Sequence, residues 1–505
     1  MKKVALLLVT ALLISGVVWA QNFVPFTPVP AGGAAVLPQP VLSGFDGNGL
    51  FDRGNVFPSA STEYRYSAGI FDSMIDNYLD VNFCDPKIGN YAFLGGYPSG
   101  ASIDNTPYPP YALNFGLGKT FKSFYLGVYY GGSLVDQTNQ TSGAYAANGT
   151  DKASTNSLTF WDNNLAVLVG VPGFGAFRLD FSLSNTTAKD TYDGDVTAKI
   201  RQNAPLVALT WGGVKLAGMD PYITVGYKFA DQYIYGITNP SYKQMTGTEN
   251  AALMIQAGLN YDITDNSSVW GDLVFMSILG TKISGDRDAW NAYGGLAPLT
   301  GSGNSFSITS EGAWALGFRL YYKQTFDVGK VSFGFKPRLA LAYGASNMGS
   351  YSGDIAKVDA PTNSAFELQS GLNLGVKFQA NRVFAFYTGA SLTLFDWMTN
   401  KTKGGSGKYD YSSWSFDGIS WNQDQFTSAS SLGFGMTITP VNNLVIGTGL
   451  NTILDKIFTI DLAHMAVGTP SNTTSLWGYN SNNAIGQLLG VFRGLNFDLT
   501  VAYKF

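Results

Sequence analysis

A single cysteine, Cys84, excludes an internal disulfide, and a single histidine, His464, leaves no ligand set for a zinc or other transition-metal centre built on Cys and His. Charged residues make up only 13% of the 505 positions, and 35 acids stand against 31 bases. That balance offers no basic surface for nucleic acid, so none is expected as a partner. Long apolar runs are missing after the first twenty residues, which removes a transmembrane helix from consideration. Catalytic motifs are missing too. There is no Gly-x-Ser-x-Gly elbow, and Gly116-Leu117-Gly118-Lys119-Thr120 has Leu113 where a phosphate-binding loop needs glycine. Gly404 to Lys408 fails in the same way at Thr402. His464, between Leu462-Ala463 and Met465-Ala466, reads as a packed loop histidine. Asp190, Asp193 and Asp195 match no calcium-loop spacing. Neither an enzyme activity nor a cofactor is expected.

What the chain has is 60 glycines, 14% aromatic residues and a strict alternation of apolar and polar positions. Phe177, Leu179, Phe181 and Leu183 alternate with Arg178, Asp180, Ser182 and Ser184. The same pattern runs through Ile223 to Phe229, Leu253 to Ile263, Trp314 to Tyr322 and Phe366 to Phe378. Successive strand residues point to opposite faces, so each of these segments has one apolar and one polar side. Their length of about ten residues or more exceeds the five or six usual in soluble sandwiches.

Short turns near Gly118-Lys122, Val171-Gly175, Gly212-Asp220, Asp262-Ser268, Phe326-Lys330, Ala380-Arg382 and Pro440-Asn443 separate long polar segments. Each short turn joins two strands. Tyr91 to Tyr97 before the first pair and Asn496 to Phe505 after the last bring the count to about 16, an even number as closure requires. Two irregularities are expected. Pro337 inside Val331 to Tyr343 predicts a bulge, and a phase change at Asn163-Asn164 predicts another. Val269 to Leu279 fits either facing.

The N-terminus is built differently. Lys2-Lys3, the apolar stretch Val4 to Val18 and Val18-Trp19-Ala20 read as a cleaved signal peptide over 1–20, with Gln21 where a lipoprotein would need cysteine. Removing two lysines takes the formal charge from −4 to −6. Residues 21–90 form a periplasmic or lumenal extension. It opens with a Pro-rich leader over 22–40, and Phe71, Met74, Ile75, Tyr78 and Leu79 predict one short amphipathic helix there. Residues 91–505, with their long alternating strands, are expected to close into an antiparallel transmembrane β-barrel.

The last stretch, Asn-Phe-Asp-Leu-Thr-Val-Ala-Tyr-Lys-Phe, ends on an aromatic residue with Tyr503 two places earlier. It resembles the closing strand of bacterial outer-membrane β-barrels. The resemblance implies an all-β membrane protein in the bacterial outer membrane, surrounded by its lipid. It also implies that Phe497 to Phe505 is the segment read by the barrel-assembly machinery. The layout of short turns and long outer loops resembles general diffusion porins, which implies a homotrimer and a water-filled channel for small hydrophilic solutes and ions. The pore-lining candidates, taken from the polar phase of the strands, are Arg178, Asp180, Lys228, Arg319, Lys323, Lys336, Arg338, Glu367 and Lys377, with Asp262, Asp498 and Lys504 on the same faces and Asp272 by exclusion. The third long segment, Asn185 to Ala204, is the constriction-loop candidate through Asp190, Asp193 and Asp195 beside Lys189, Lys199 and Arg201.

Two alternatives remain open on the same residues. One resembles FadL-type gated transporters of hydrophobic compounds, with the N-terminal segment as a plug. The other is a major surface protein or adhesin whose long outer loops meet host surface ligands.

Overall fold

The computed structural model describes residues 62–71, 90–98, 111–142, 153–192, 195–229, 231–238, 242–249, 251–278, 282–286, 305–309, 312–347, 350–353, 358–359, 362–403, 410–415, 431–453 and 496–505. In chain order they form a short helix α1 (Thr62–Tyr66) and the strands β1 (Tyr91–Pro98), β2 (Tyr111–Thr120), β3 (Tyr125–Ser142), β4 (Ala153–Val171), β5 (Gly175–Tyr192), β6 (Asp195–Gly212), β7 (Met219–Lys228), β8 (Asp231–Thr238), β9 (Tyr242–Glu249), β10 (Ala252–Thr264), β11 (Ser267–Ile278), β12 (Lys282–Asp286), β13 (Ser305–Thr309), β14 (Gly312–Val328), β15 (Val331–Asn347), β16 (Ser350–Gly353), β17 (Val358–Asp359), β18 (Thr362–Gln379), β19 (Phe384–Lys403), β20 (Asp410–Ser415), β21 (Ser431–Val441), β22 (Leu444–Ile453) and β23 (Asn496–Lys504).

Several neighbours are two halves of one longer strand. With β7–β8, β9–β10, β11–β12, β13–β14, β15–β16, β17–β18 and β20–β21 joined, the antiparallel sheet has sixteen strands and closes on itself. The seam is β23, which pairs with β22 on one side and β1 on the other, Tyr91 facing Lys504 and Gly96 facing Leu499. Asn90 ties the seam. Its carbonyl accepts the Phe505 N–H at 3.0 Å, and its side-chain oxygen accepts the Thr120 N–H at 3.2 Å. Closure gives every strand of the ring a hydrogen-bonded neighbour on each side, as a membrane requires.

The alternation sorts the side chains the opposite way from a soluble protein. Leu179 is 47% exposed on the outside while its neighbour Asp180 is fully buried within. Phe177, Ile223, Leu273, Leu316, Val376 and Phe386 share the outward face. An apolar band on every side of a closed barrel is stable only in lipid, so the protein is an outer-membrane β-barrel.

All seven short turns lie where the sequence places them. Gly329-Lys330, one of three two-residue turns, joins the paired Val328 and Val331 with a positive φ at its first position, and Gly329 supplies it at 63°. Both expected bulges are overturned. Pro337 carries no N–H, so pairing with β14 lapses between Arg338 and Phe335, yet the register is the same on either side. β4 keeps one register with β3 and β5 through Asn163-Asn164. Register shifts occur instead at Asp190/Thr191, Asp262/Thr264, Ser370/Gly371 and Ile438/Val441.

The segment Asn185 to Ala204 is not an infolded loop. β5 and β6 run through it as one hairpin to Tyr192 facing Asp195. Thr186, Thr187, Thr191, Val196, Thr197 and Ile200 are β-branched and favour continued strand there. Of the predicted helix, only Phe71 is among the described residues; α1 lies earlier.

Candidate functional site in the barrel lumen

Period two carries one residue in two into the lumen, and on β5 to β18 many of those residues are polar, interspersed with Ala208, Met254, Val274 and Ala340. Asp272 is the centre. Arg319, directly opposite on β14, donates Nε to Oδ1 at 3.0 Å and Nη2 to Oδ2 at 2.6 Å, a two-pronged ion pair. The Gln256 amide and the Tyr222 hydroxyl donate to the same Oδ2, the hydroxyl at 3.2 Å. The Arg319 guanidinium lies 5.5 Å over the Trp270 ring, Trp270 stacks on Tyr321 at 4.6 Å, and the Lys336 ammonium sits 4.9 Å over Tyr321. Charge and ring faces here satisfy one another. Further round, Arg178 and Asp180 pair at 3.0 Å two residues apart on β5, and the Thr210 and Thr224 hydroxyls meet at 2.9 Å between the two ion pairs.

These charged groups do not stand in an open channel. Arg178, Asp272, Arg319, Lys336 and Arg338 are exposed by no more than 7%. Lys323 and Lys377 are half-buried, Lys377 within 5.9 Å of the Tyr387 ring. Lys228 ends β7 opposite Ala252 and Leu206, and Glu367 sits in β18 opposite Ala342 and Met398. Asp190 pairs with Asn156 and Ala198 in the β5–β6 hairpin and Asp195 opens β6; Asp193 lies outside the described residues. Asp272 does face inward, with Leu273 and Phe275 outside, which resolves the facing of β11.

The other inner arcs were not legible as candidates. On β1 and β3, Tyr91, Phe93, Tyr125 and Tyr129 turn inward and stack, Tyr91 on Tyr125 at 6.3 Å and Phe93 near Tyr129 at 5.7 Å. Tyr222 joins their apolar cluster and Trp270 packs against it. The rings lie over glycine: a methyl on Gly116 would meet Phe93 at 2.2 Å, and one on Gly258 would meet Tyr222 at 2.6 Å.

From β15 to β22 the wall is floored by Gly334, Gly375, Gly389, Gly435, Gly447 and Gly449, and here the N-terminal segment is seated. Tyr66 covers Gly435 and Gly449, Thr62 covers Gly447, the Ser67-Ala68 backbone covers Gly389, and Ile70 covers Gly334 and Gly375. Residues 62–71 are therefore on the inner wall near the short turns. The signal that could have found this is the G-x-G spacing of Gly433-Gly435 and Gly447-Gly449, which strips one strand face of side chains.

Among the described residues no group of three or more His, Cys, Asp or Glu could hold a metal ion. No protein-family model matches the sequence, and no curated protein sequence is similar to it. Solved structures do resemble the fold. The chain is similar to the toluene transporter TbuX of Ralstonia pickettii at 10% identity and a TM-score of 0.31, over 88% of this chain and 97% of that one. It is similar to the CymD monoaromatic hydrocarbon channel at 10% and 0.31, over 92% and 97%. It is also similar to the siderophore receptor PiuA of Acinetobacter baumannii at 9% and 0.30, over 83% and 82%. Likenesses of this size carry no argument about cargo.

Proposed function

We propose that the protein is a gated outer-membrane transporter of small apolar or amphiphilic compounds, of the FadL-like kind, with its N-terminal segment seated in the lumen as the gate. The observation that carries this reading is the placement of residues 62–71 against six inward glycines. A wall that is glycine at these positions leaves its own side of the lumen unfilled, and a second piece of chain takes that space. The cargo class rests on the inward aromatic arc of Tyr91, Phe93, Tyr125 and Tyr129, which packs rings on this side of the lumen where a channel for ions would hold water and charge.

The general-porin reading fits less well. A wide channel would leave Arg178, Asp180, Arg319 and Arg338 in water, and all four are buried. Single-channel conductance of the refolded protein in planar bilayers tests the proposal. The full chain is expected to be silent or to open rarely, and deletion of residues 21–85 to give large steady steps. Large ohmic steps from the full chain would return the weight to a porin.

A further inference from the structure

The Asp272 cluster has both carboxylate oxygens occupied, which leaves the contact between residues 62–71 and the wall as the place where the molecule holds something it can let go. The end of the segment meets several of its own backbone donors. Ser67 N–H donates to the Glu63 carbonyl at 3.2 Å, Gly69 N–H to Tyr64 at 2.9 Å and Ile70 N–H to Ser67 at 3.2 Å. The Phe71 N–H goes to the Ser67 hydroxyl at 2.9 Å. A piece of chain whose backbone donors are met internally can move as a unit without orphaning them. The turn that ends α1 is left-handed at Ala68, φ 54°, and at Gly69, φ 72°, and this aims the Ala68 carbonyl at the wall.

There the carbonyl meets one built partner. The side-chain amide of Asn373 on β18 donates to it at 3.0 Å, across 305 positions of sequence. Asn373 is fully buried, and its own oxygen accepts the Ser391 hydroxyl of β19 at 2.8 Å, which fixes the amide so that its NH₂ points at the segment. Around this bond the floor is glycine. At Gly375, Gly389, Gly435 and Gly449 the segment lies directly on the wall backbone, while Tyr66 packs on Ala385 and Tyr387 and the Lys336 ammonium lies 5.9 Å over the Tyr64 ring. Once the segment lifts, lumen water can replace both ends of the bond.

We propose that Asn373, set by Ser391, is the latch of the gate: it holds residues 62–71 on the glycine floor through the Ala68 carbonyl, and the gate opens when this bond breaks. Asn373 is a positioning residue that sets the balance between seated and released segment. The inference rests on the gated reading above.

The test uses the full refolded chain in planar bilayers, with heat-modifiable gel mobility confirming a folded barrel. Losing one such hydrogen bond is expected to raise the open fraction about five-fold in Asn373→Ala. Ser391→Ala, which frees the amide to turn, should raise it about two-fold. Gly389→Ala acts on the same seat by another route, since its methyl would meet the Ser67-Ala68 backbone at about 2.5 Å. It is expected to open the pore even if Asn373→Ala fails to fold. If the 21–85 deletion or Gly389→Ala conducts while folded Asn373→Ala and Ser391→Ala behave as the parent, the latch is overturned and the gate stands. If the deletion is as silent as the parent, the gated reading itself fails.

Discussion

The arc around Asp272 and the arc floored by glycine solve the same problem in opposite ways. A barrel of sixteen strands has an interior wider than small side chains can fill. From β7 to β15 the wall fills its share with long side chains that hydrogen-bond and stack on one another, as Asp272, Arg319, Trp270, Tyr321 and Lys336 do. From β18 to β22 the wall sets glycines between a few side chains such as Asn373 and Tyr387 and admits a segment from elsewhere in the chain. The first arc belongs to the stability of the barrel; the second is a seat, and what sits on a seat can leave it.

Mutations should separate the two. Asp272→Ala leaves Arg319 buried without its carboxylate and is expected to cost about 3–5 kcal/mol, read as a lower urea midpoint in detergent, with the channel still closed. If this variant opened the pore instead, the division between the arcs would fall. Gly449→Leu drives into the Tyr66 ring and should do the reverse, opening the pore while moving the unfolding midpoint by less than about 1 kcal/mol. The pair Asp272→Leu with Arg319→Met removes both charges and should recover most of the loss, to within about 1 kcal/mol of the parent. The smallest effect is at Ala68. Replacing it with glycine relieves a left-handed alanine worth about 1 kcal/mol at most and should lower the open fraction, measurable as fewer openings per minute.

Much of this architecture is written in one dimension. The outward face could be read because lipid imposes one demand on every strand, so Phe177, Leu179 and Phe181 declare themselves without reference to any partner. The turns could be read because Pro172-Gly173, Gly329-Lys330 and Asn442-Asn443 break the alternation at regular intervals. Asp272 was reachable only by exclusion, since both faces of β11 look alike in sequence. Asp190 and Asp195 misled for a different reason. A polar stretch reads as a loop, but Thr-rich β5 and β6 extend past the membrane as paired strand, where water on both sides removes the apolar face by which strands are recognised.

The inner wall could not be read the same way, because its solvent is the rest of the protein. Tyr91, Phe93, Tyr125 and Tyr129 are apolar residues on a face that elsewhere is polar, and only the neighbouring glycines of other strands make room for their rings. The seat for residues 62–71 is assembled from β15, β18, β19, β21 and β22, none of which shows more than a few of its glycines.

Sequence alone determined the class of the fold, its strand count, its facing and its place in the membrane, because those follow from local period and from a uniform surrounding. Only the tertiary structure decided which inner groups pair, where the rings lie and what the glycines admit. Those contacts join strands that meet only when the barrel closes.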